Sequence, residues 1–537
     1  MLSEASLTRL HGWIHDCVQN HDACATHSNG VQRTPTRLIE IKSAITGELS
    51  ARLVETDPED TYKYIALSHS WAQSKPLKTD RHNYLEHKDE IPWNKLSTVY
   101  QDTLSLAKSL AVSYVWIDSL CIIQQDPEEW EREAHHMGAV YSNAFLVFVA
   151  LGNELALEKD PIEEFTIVGT MKESGEDVYK STIKVRRKID HDNLVNSAND
   201  ETAGAWFSRG WCFQERLFAS RLLHFGGPLE DIAFECNTHL RCECGGVENL
   251  TTSRSDGLSS LWCHTKAQFT REFNEVATLP PDDMNDDVLA ETRNKLFAMY
   301  IALCEDFSSK RFSFSDDTLP AMDSLASKLG PYLGEYHAGL WEHNILIGMQ
   351  WESFNAKRSQ RYTPCCAPSF SWASRTGGAI WYLNPKEILT DTEDHEFAEV
   401  VEALTIAADP AIPYGKVVFS DITLRGFAKP AMIEPQAPDN MGRMTLNESD
   451  SGQWVQLDTQ DDIDDIVFVD EGQVTPVLCF QLMRRWATSG NGTNVFASTI
   501  VLVPNDEERG TLRRIGFAIL DRDFFDEDAM FGTFSIR

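Results

Sequence analysis

Residues 98–150 read TVYQDTLSLAKSLAVSYVWIDSLCIIQQDPEEWEREAHHMGAVYSNAFLVFVA, and their alternation of patterns decides the fold. Val99, Ala107, Leu110 and Ala111 help build an apolar stripe, and Thr98 and Gln101 have capping-box spacing, so a helix is predicted over 98–112. Ser113–Asp118 then reads as a short apolar strand ending on a carboxylate. Asp126, Pro127 and Glu129 form a helix start, with an N-cap acid, proline at the first helical position and an acid three residues on. That helix runs to about Tyr141 and is followed by a second apolar strand, Phe145–Ala150. Upstream, Tyr62–Ser68 is a third such run. Strand, helix, strand, helix, strand at these spacings predicts right-handed crossovers and a parallel sheet. The working residues of such a sheet sit at the carboxyl ends of its strands, here the segments after Ser68 and after Ile117.

Further out, residues 5–24 form an amphipathic helical pattern that places Trp13, Cys17, His21 and Cys24 on one face. Pro35–Ile41 looks like a short strand. Residues 152–205 are polar, acidic and weakly periodic, as in a long insertion. Order resumes at Trp206, with a short helix near 210–218 and strands near 221–225 and 231–236. A helical region is predicted from about 262 to 350, and from about 367 the chain alternates in β fashion, interrupted by an acidic loop at 456–471. The expected division is a lead-in (1–55), an α/β domain (56–260), a helical region (261–366) and a β-rich C-terminal region (367–537).

At 537 residues, two or three domains are the default. The formal net charge of −34 repels phosphate backbones and anionic lipid, and the sequence shows no basic patch, only short pieces such as Lys184–Lys188, so nucleic acid is not expected as a partner. The N-terminal residues show no apolar signal-peptide core, and the most apolar runs are far below the ~20 residues that span a bilayer. Twelve cysteines scattered through a long chain without a secretory signal point to reduced thiols and a cytoplasmic location.

Three segments carry a resemblance. Tyr64-Ile-Ala-Leu-Ser-His-Ser-Trp71 is the first, with Ala72 where the pattern has glycine. Tyr114-Val-Trp-Ile-Asp-Ser-Leu-Cys-Ile-Ile-Gln124, continued by Trp130-Glu-Arg-Glu and Met137–Ala144, is the second. Ser208-Arg-Gly-Trp-Cys-Phe-Gln-Glu-Arg-Leu217, with Arg221–Phe225 and Phe234-Glu-Cys236, is the third. In this order they resemble the three blocks of the fungal heterokaryon-incompatibility (HET) domain family. Leu319–Ala326, Ala338–Trp341 and Ala367–Ser374 resemble its usual downstream region. The resemblance implies a fold similar to Toll/interleukin-receptor (TIR) domains, a small flavodoxin-like parallel sheet with flanking helices. It also implies a role in self/non-self recognition and regulated cell death, with other incompatibility or fungal signalling proteins, or further copies of the chain, as partners.

Trp211-Cys-x-x-Glu215-x-Leu217 resembles the segment in which some TIR enzymes keep the glutamate that cleaves NAD between nicotinamide and ribose. Positive charge develops on the sugar as that bond breaks, and a fixed carboxylate stabilises it. Glu215 is therefore the candidate catalytic residue, against the plainer reading of an ion pair with Arg209 or Arg216. Ser68, His69, Trp71, Asp118, Ser119, Cys121 and Trp211 are the candidate nucleotide-binding residues. Asp118 equally suits a loop hydrogen bond, and Trp71 equally suits a core. Cys121 or Cys212 with His69 or His224 could be assembled into a cysteine hydrolase, but nothing in the spacing requires it. Cys17, His21 and Cys24 form one soft-ligand set, and Cys236, Cys242 and Cys244 with His239 form another. Neither has paired C-x2-C spacing, so no metal is assigned. No cofactor is expected, NAD entering only as a substrate. The other readings are a non-catalytic HET interaction module and an accessory protein in another fungal pathway.

Overall fold

All six residues of Tyr64–His69 are buried, and the N-terminal sheet extends outward from this strand. The computed structural model describes residues 2–24, 34–45, 47–70, 76–151, 163–170, 177–185, 204–225, 232–243, 245, 247–249, 261–276, 279–362, 366–376, 380–382, 395–433, 443–447, 453–467, 475–489, 492–505, 510–526 and 528–537. The chain divides into two compact units. The first comprises Met1–Phe207 and Glu215–Thr270, the second Ser208–Gln214 and Arg271–Arg537.

In the first unit the strands are β1 (Arg37–Ser43), β2 (Leu49–Glu55), β3 (Tyr64–His69), β4 (Tyr114–Ile117) and β5 (Leu146–Ala150). Next come a hairpin of β6 (Glu163–Thr170) and β7 (Asp177–Val185) within the polar stretch, then β8 (Arg221–Phe225), β9 (Ala233–Cys236), β10 (His239–Cys242) and β11 (Val247–Asn249). Among the described residues nine of these form one sheet in the order β11-β10-β9-β8-β5-β3-β4-β1-β2. Its four central strands, β4, β3, β5 and β8, are parallel. The flanking strands β1 and β9 join antiparallel. Taken in chain order, the parallel strands lie second, first, third, fourth, which is the flavodoxin-like arrangement. The direction of winding reverses between β3 and β5, so the crevice at their carboxyl ends is where ligand sites form in such sheets.

The helices are α1 (Glu4–Asn20), α2 (Tyr84–Asp89), α3 (Thr98–Ser109), the single turn α4 (Asp118–Cys121) and α5 (Pro127–Asn143). α5 begins as expected, with the Asp126 carboxylate accepting from the Glu129 amide and Pro127 in the first turn. The start of α3 differs. Ser97 occupies the cap position, and the Gln101 amide donates to the Trp93 and Leu96 carbonyls instead of closing a box with Thr98. The helix stops at Ser109 because Ala111 turns left-handed, with φ 56°.

The second unit holds the helices Asp286–Ser308 and Asp323–Leu333 and then a β-rich region. There the pairings return on themselves. Val417–Ile433 pairs with Thr475–Ser489, which leads through Gly492–Pro504, Leu512–Asp521, Trp454–Leu457 and Arg443–Asn447 back to Val417–Ile433. In a closed ring of this kind each of the six strands has a paired neighbour on both sides over part of its length. Inside the unit, buried Arg514 lies over the Trp351 ring, pairs with Asp458 at 3.0 Å and donates to the Met349 carbonyl. Burial of a charge is tolerable only with such full pairing.

The acidic loop expected at 456–471 is corrected. Trp454–Leu457 is a strand and Gln460–Val467 a helix, closed by a reciprocal cap in which the Thr459 hydroxyl accepts from the Asp462 amide and donates to its carboxylate. Ile463 and Ile466 anchor this helix in the core of the ring. The acids obscured a pattern whose apolar positions are only Ile463, Ile466 and Val467. Burial pushes the Asp462 carboxyl up to about 6 despite the Arg513 and Arg361 guanidiniums. The native chain therefore holds a proton between about pH 4 and 6 that the unfolded chain has released. This carboxyl makes stability fall as pH rises through that window. Denaturant titrations of Asp462→Asn across pH 4–6 should show that decline reduced relative to wild type.

Candidate functional site

Successive residues of a strand face opposite sides, so Ser68 and His69 at the end of β3 serve different faces of the sheet. On the first face, the Ser68 hydroxyl donates to the Glu215 carboxylate, and the Trp206 indole donates to Ser68 Oγ at 2.6 Å. Ser68 is 1% exposed and Glu215 6% exposed. The sequence thus brings its catalytic candidate, carried on the helix Gly210–Phe218, to the carboxyl end of the strand at which the sheet reverses its winding. Register extends this row sideways. Ser68 lies opposite Val149 of β5, and Val149 lies opposite His224 of β8.

His224 begins a second, fully buried group. Its Nε2 is 2.9 Å from Glu235, which Arg216 grips through Nε at 3.0 and 3.1 Å and Nη2 at 3.0 Å. Lys266 approaches to 3.8 Å. Burial by itself pushes the Glu235 carboxyl up, but the Arg216 and Lys266 cations and the His224 ring hold it well below the usual carboxylate range. Burial pushes the His224 ring down, favouring the neutral imidazole despite Glu235 beside it. Phe207 covers the group, lying against His224 at 6.3 Å with Arg216 over its ring at 5.2 Å. The plainer expectation for Glu215 named Arg216 as a partner. That guanidinium pairs with Glu235.

On the other face, His69 meets the edge of Tyr100 at 6.0 Å, and the Tyr100 hydroxyl is 2.7 Å from Ser119 Oγ. Ser119 also donates to the Leu77 carbonyl, and its backbone N–H reaches Asp118 Oδ1 at 2.7 Å. Asp118 therefore makes the local bond that a loop acid makes. Cys121 is buried, burial pushes its thiol up to about 12, and its carbonyl accepts from Arg37. A thiol so placed is not an activated nucleophile, which disfavours Cys121 as the nucleophile of a cysteine hydrolase. Trp211 belongs to the second unit, where its indole donates to Asp317 at 3.1 Å. Trp71 and Ala72 lie outside the described residues.

Residues 64–215 match the family model for the heterokaryon incompatibility protein (HET). The chain carries a HET domain. The match runs from the first residue of β3 to Glu215 itself, so both ends of the Ser68–Glu215 contact fall within it. Comparison with curated proteins and with solved structures finds no match. No helix among the described residues is long and apolar enough to cross a membrane.

The sequence reading of the HET domain missed Trp206, Tyr100 and, within the buried group, Glu235 and Lys266. Trp206 adjoins the third block without belonging to it, and its polar contact depends on a residue 138 positions away. Glu235 did leave a signal, a lone carboxylate in the apolar run Ile232-Ala-Phe-Glu-Cys236. Glu235→Gln should remove the countercharge of Arg216 and Lys266 and destabilise the HET domain by about 3–5 kcal/mol in denaturant titrations. A loss below about 1 kcal/mol would show the group to be dispensable for folding.

Proposed function

We propose that this protein acts in self/non-self recognition leading to regulated cell death, and that its HET domain is a TIR-like effector that hydrolyses NAD. The observation that supports this reading is the contact of Glu215 with Ser68 at the carboxyl end of β3, beside the switch point of a flavodoxin-like sheet. In the reaction the bond between nicotinamide and ribose C1′ breaks, nicotinamide leaves with the electron pair, and water adds to the sugar and loses a proton. Glu215 would hold the ribose hydroxyls and stabilise the cationic sugar in the transition state, and Ser68 and Trp206 would orient its carboxylate. Asp118 and His69, at the ends of neighbouring strands, would meet the rest of the nucleotide.

A second reading has its own observation. Glu215 is 6% exposed and already engaged by Ser68, which also suits a carboxylate that only holds the domain together. The HET domain would then signal by association with other incompatibility proteins or with further copies of itself.

Nicotinamide release from NAD separates the two, measured on purified full-length protein over a wide concentration range. Turnover in wild type, lowered on the order of 10²–10³-fold in Glu215→Ala and in Glu215→Gln with the fold retained, supports the enzyme. Absence of nicotinamide at every concentration, or full turnover in Glu215→Gln, would sink it.

A further inference from the structure

Three thiols and an imidazole from distant parts of the first unit meet at one point. Cys17 lies in the last turn of α1, His21 is the capping residue after it, Cys24 closes the turn Asp22–Cys24, and Cys236 ends β9. One side-chain donor atom from each lies within 4.8 Å of all the others. The three cysteines are buried and free of disulfides, and the His21 side chain is 6% exposed. Ligands of a tetrahedral zinc ion lie roughly 3.5–3.8 Å from one another, given Zn–S of about 2.3 Å and Zn–N of about 2.0 Å. The observed grouping needs little contraction to reach that.

The surroundings are those of a thiolate site. Cys236 Sγ accepts the backbone N–H groups of Thr238 at 3.4 Å and His239 at 3.2 Å. Two amides aimed at one sulfur stabilise an anion far better than a neutral thiol. His21 turns Nδ1 toward Cys236 Sγ at 3.4 Å, while its Nε2 lies 3.2 Å from His239 Nδ1 and 3.9 Å from the Asp16 carboxylate. The His239 ring stacks on it at 4.7 Å. An imidazole with one nitrogen toward the thiolates and the other held by an outer partner is oriented as a metal ligand is. Charge balances as well. Three thiolates and one zinc ion leave a single negative charge, and the buried Arg221 guanidinium approaches Cys17 Sγ at 3.9 Å and donates to the Cys24 carbonyl at 2.9 Å.

We propose that Cys17, His21, Cys24 and Cys236 form a structural zinc site. Binding displaces three thiol protons to solvent and takes His21 as the neutral ring. Four protein ligands leave no open position, so the ion carries no chemistry and instead pins α1 to the β9–β10 hairpin. The sequence had divided these residues between two incomplete sets. The fold joins the first set to Cys236, places Cys242 further along on β10, and leaves Cys244 outside the described residues. The site is independent of the enzymatic reading of Glu215.

The test is the metal content of full-length protein purified without chelator from zinc-supplemented medium. One zinc per chain is expected, falling to background in Cys24→Ser and Cys236→Ser and unchanged in Cys304→Ser and Cys479→Ser, which remove buried thiols elsewhere. Cobalt in place of zinc should give a thiolate-to-cobalt charge-transfer band and the intense visible bands of a tetrahedral site, both lost in Cys236→Ser. Should the ligand variants fail to fold, the zinc content and cobalt spectrum of wild type still decide. Reduced wild-type protein that carries no zinc and takes up neither metal overturns the proposal. So does a disulfide between any two of the three cysteines, found by mass spectrometry of the protein as purified.

Discussion

The carboxylate of Glu235 is fully buried, and the arrangement of the candidate site depends on how that charge is met. A buried anion must be surrounded by cations and hydrogen-bond donors, and Arg216, Lys266 and His224 provide them. Arg216 reaches Glu235 from the helix Gly210–Phe218, so the pair fixes how that helix lies against the strands β8 and β9. Glu215 is the preceding residue. With Arg216 paired to Glu235, Glu215 comes to the Ser68 hydroxyl, and Trp206 completes the contact from the turn just before the helix. Arg216, which meets that buried charge, and Glu215, the carboxylate proposed to act here, are thus neighbours in sequence with separate tasks.

The central strand imposes the other condition. β3 is buried along its whole length, and polar residues at its end must find partners within the fold. Ser68 finds Glu215 and Trp206 on one face, and His69 lies against Tyr100, itself bonded to Ser119, on the other. Residues that a linear reading groups as one nucleotide site are therefore served from two sides of a sheet.

Much of this was legible without coordinates. The α/β alternation, the position of α5 and its cap, the helix near 210–218 and the β-rich C-terminal region follow from local periodicity and capping chemistry, which act over a few residues. The helix Gln460–Val467 was not legible. Its run of acids resembles solvated loop, and its stability derives from two isoleucines set into a core built by remote strands.

By itself the sequence determined the HET family resemblance, the strand–helix succession of the N-terminal domain and the naming of Glu215 as a candidate, because motifs and amphipathic patterns are written in contiguous residues. Tertiary structure alone decided which strand lies beside which, and with it the placement of Glu215 on Ser68. It also decided that Arg216 belongs to Glu235, and that Cys236 joins Cys17, His21 and Cys24 across more than two hundred residues. Such contacts arise from the packing of a whole sheet and from the requirement that buried charges and thiols be satisfied, and no local pattern encodes where the distant partner will be found.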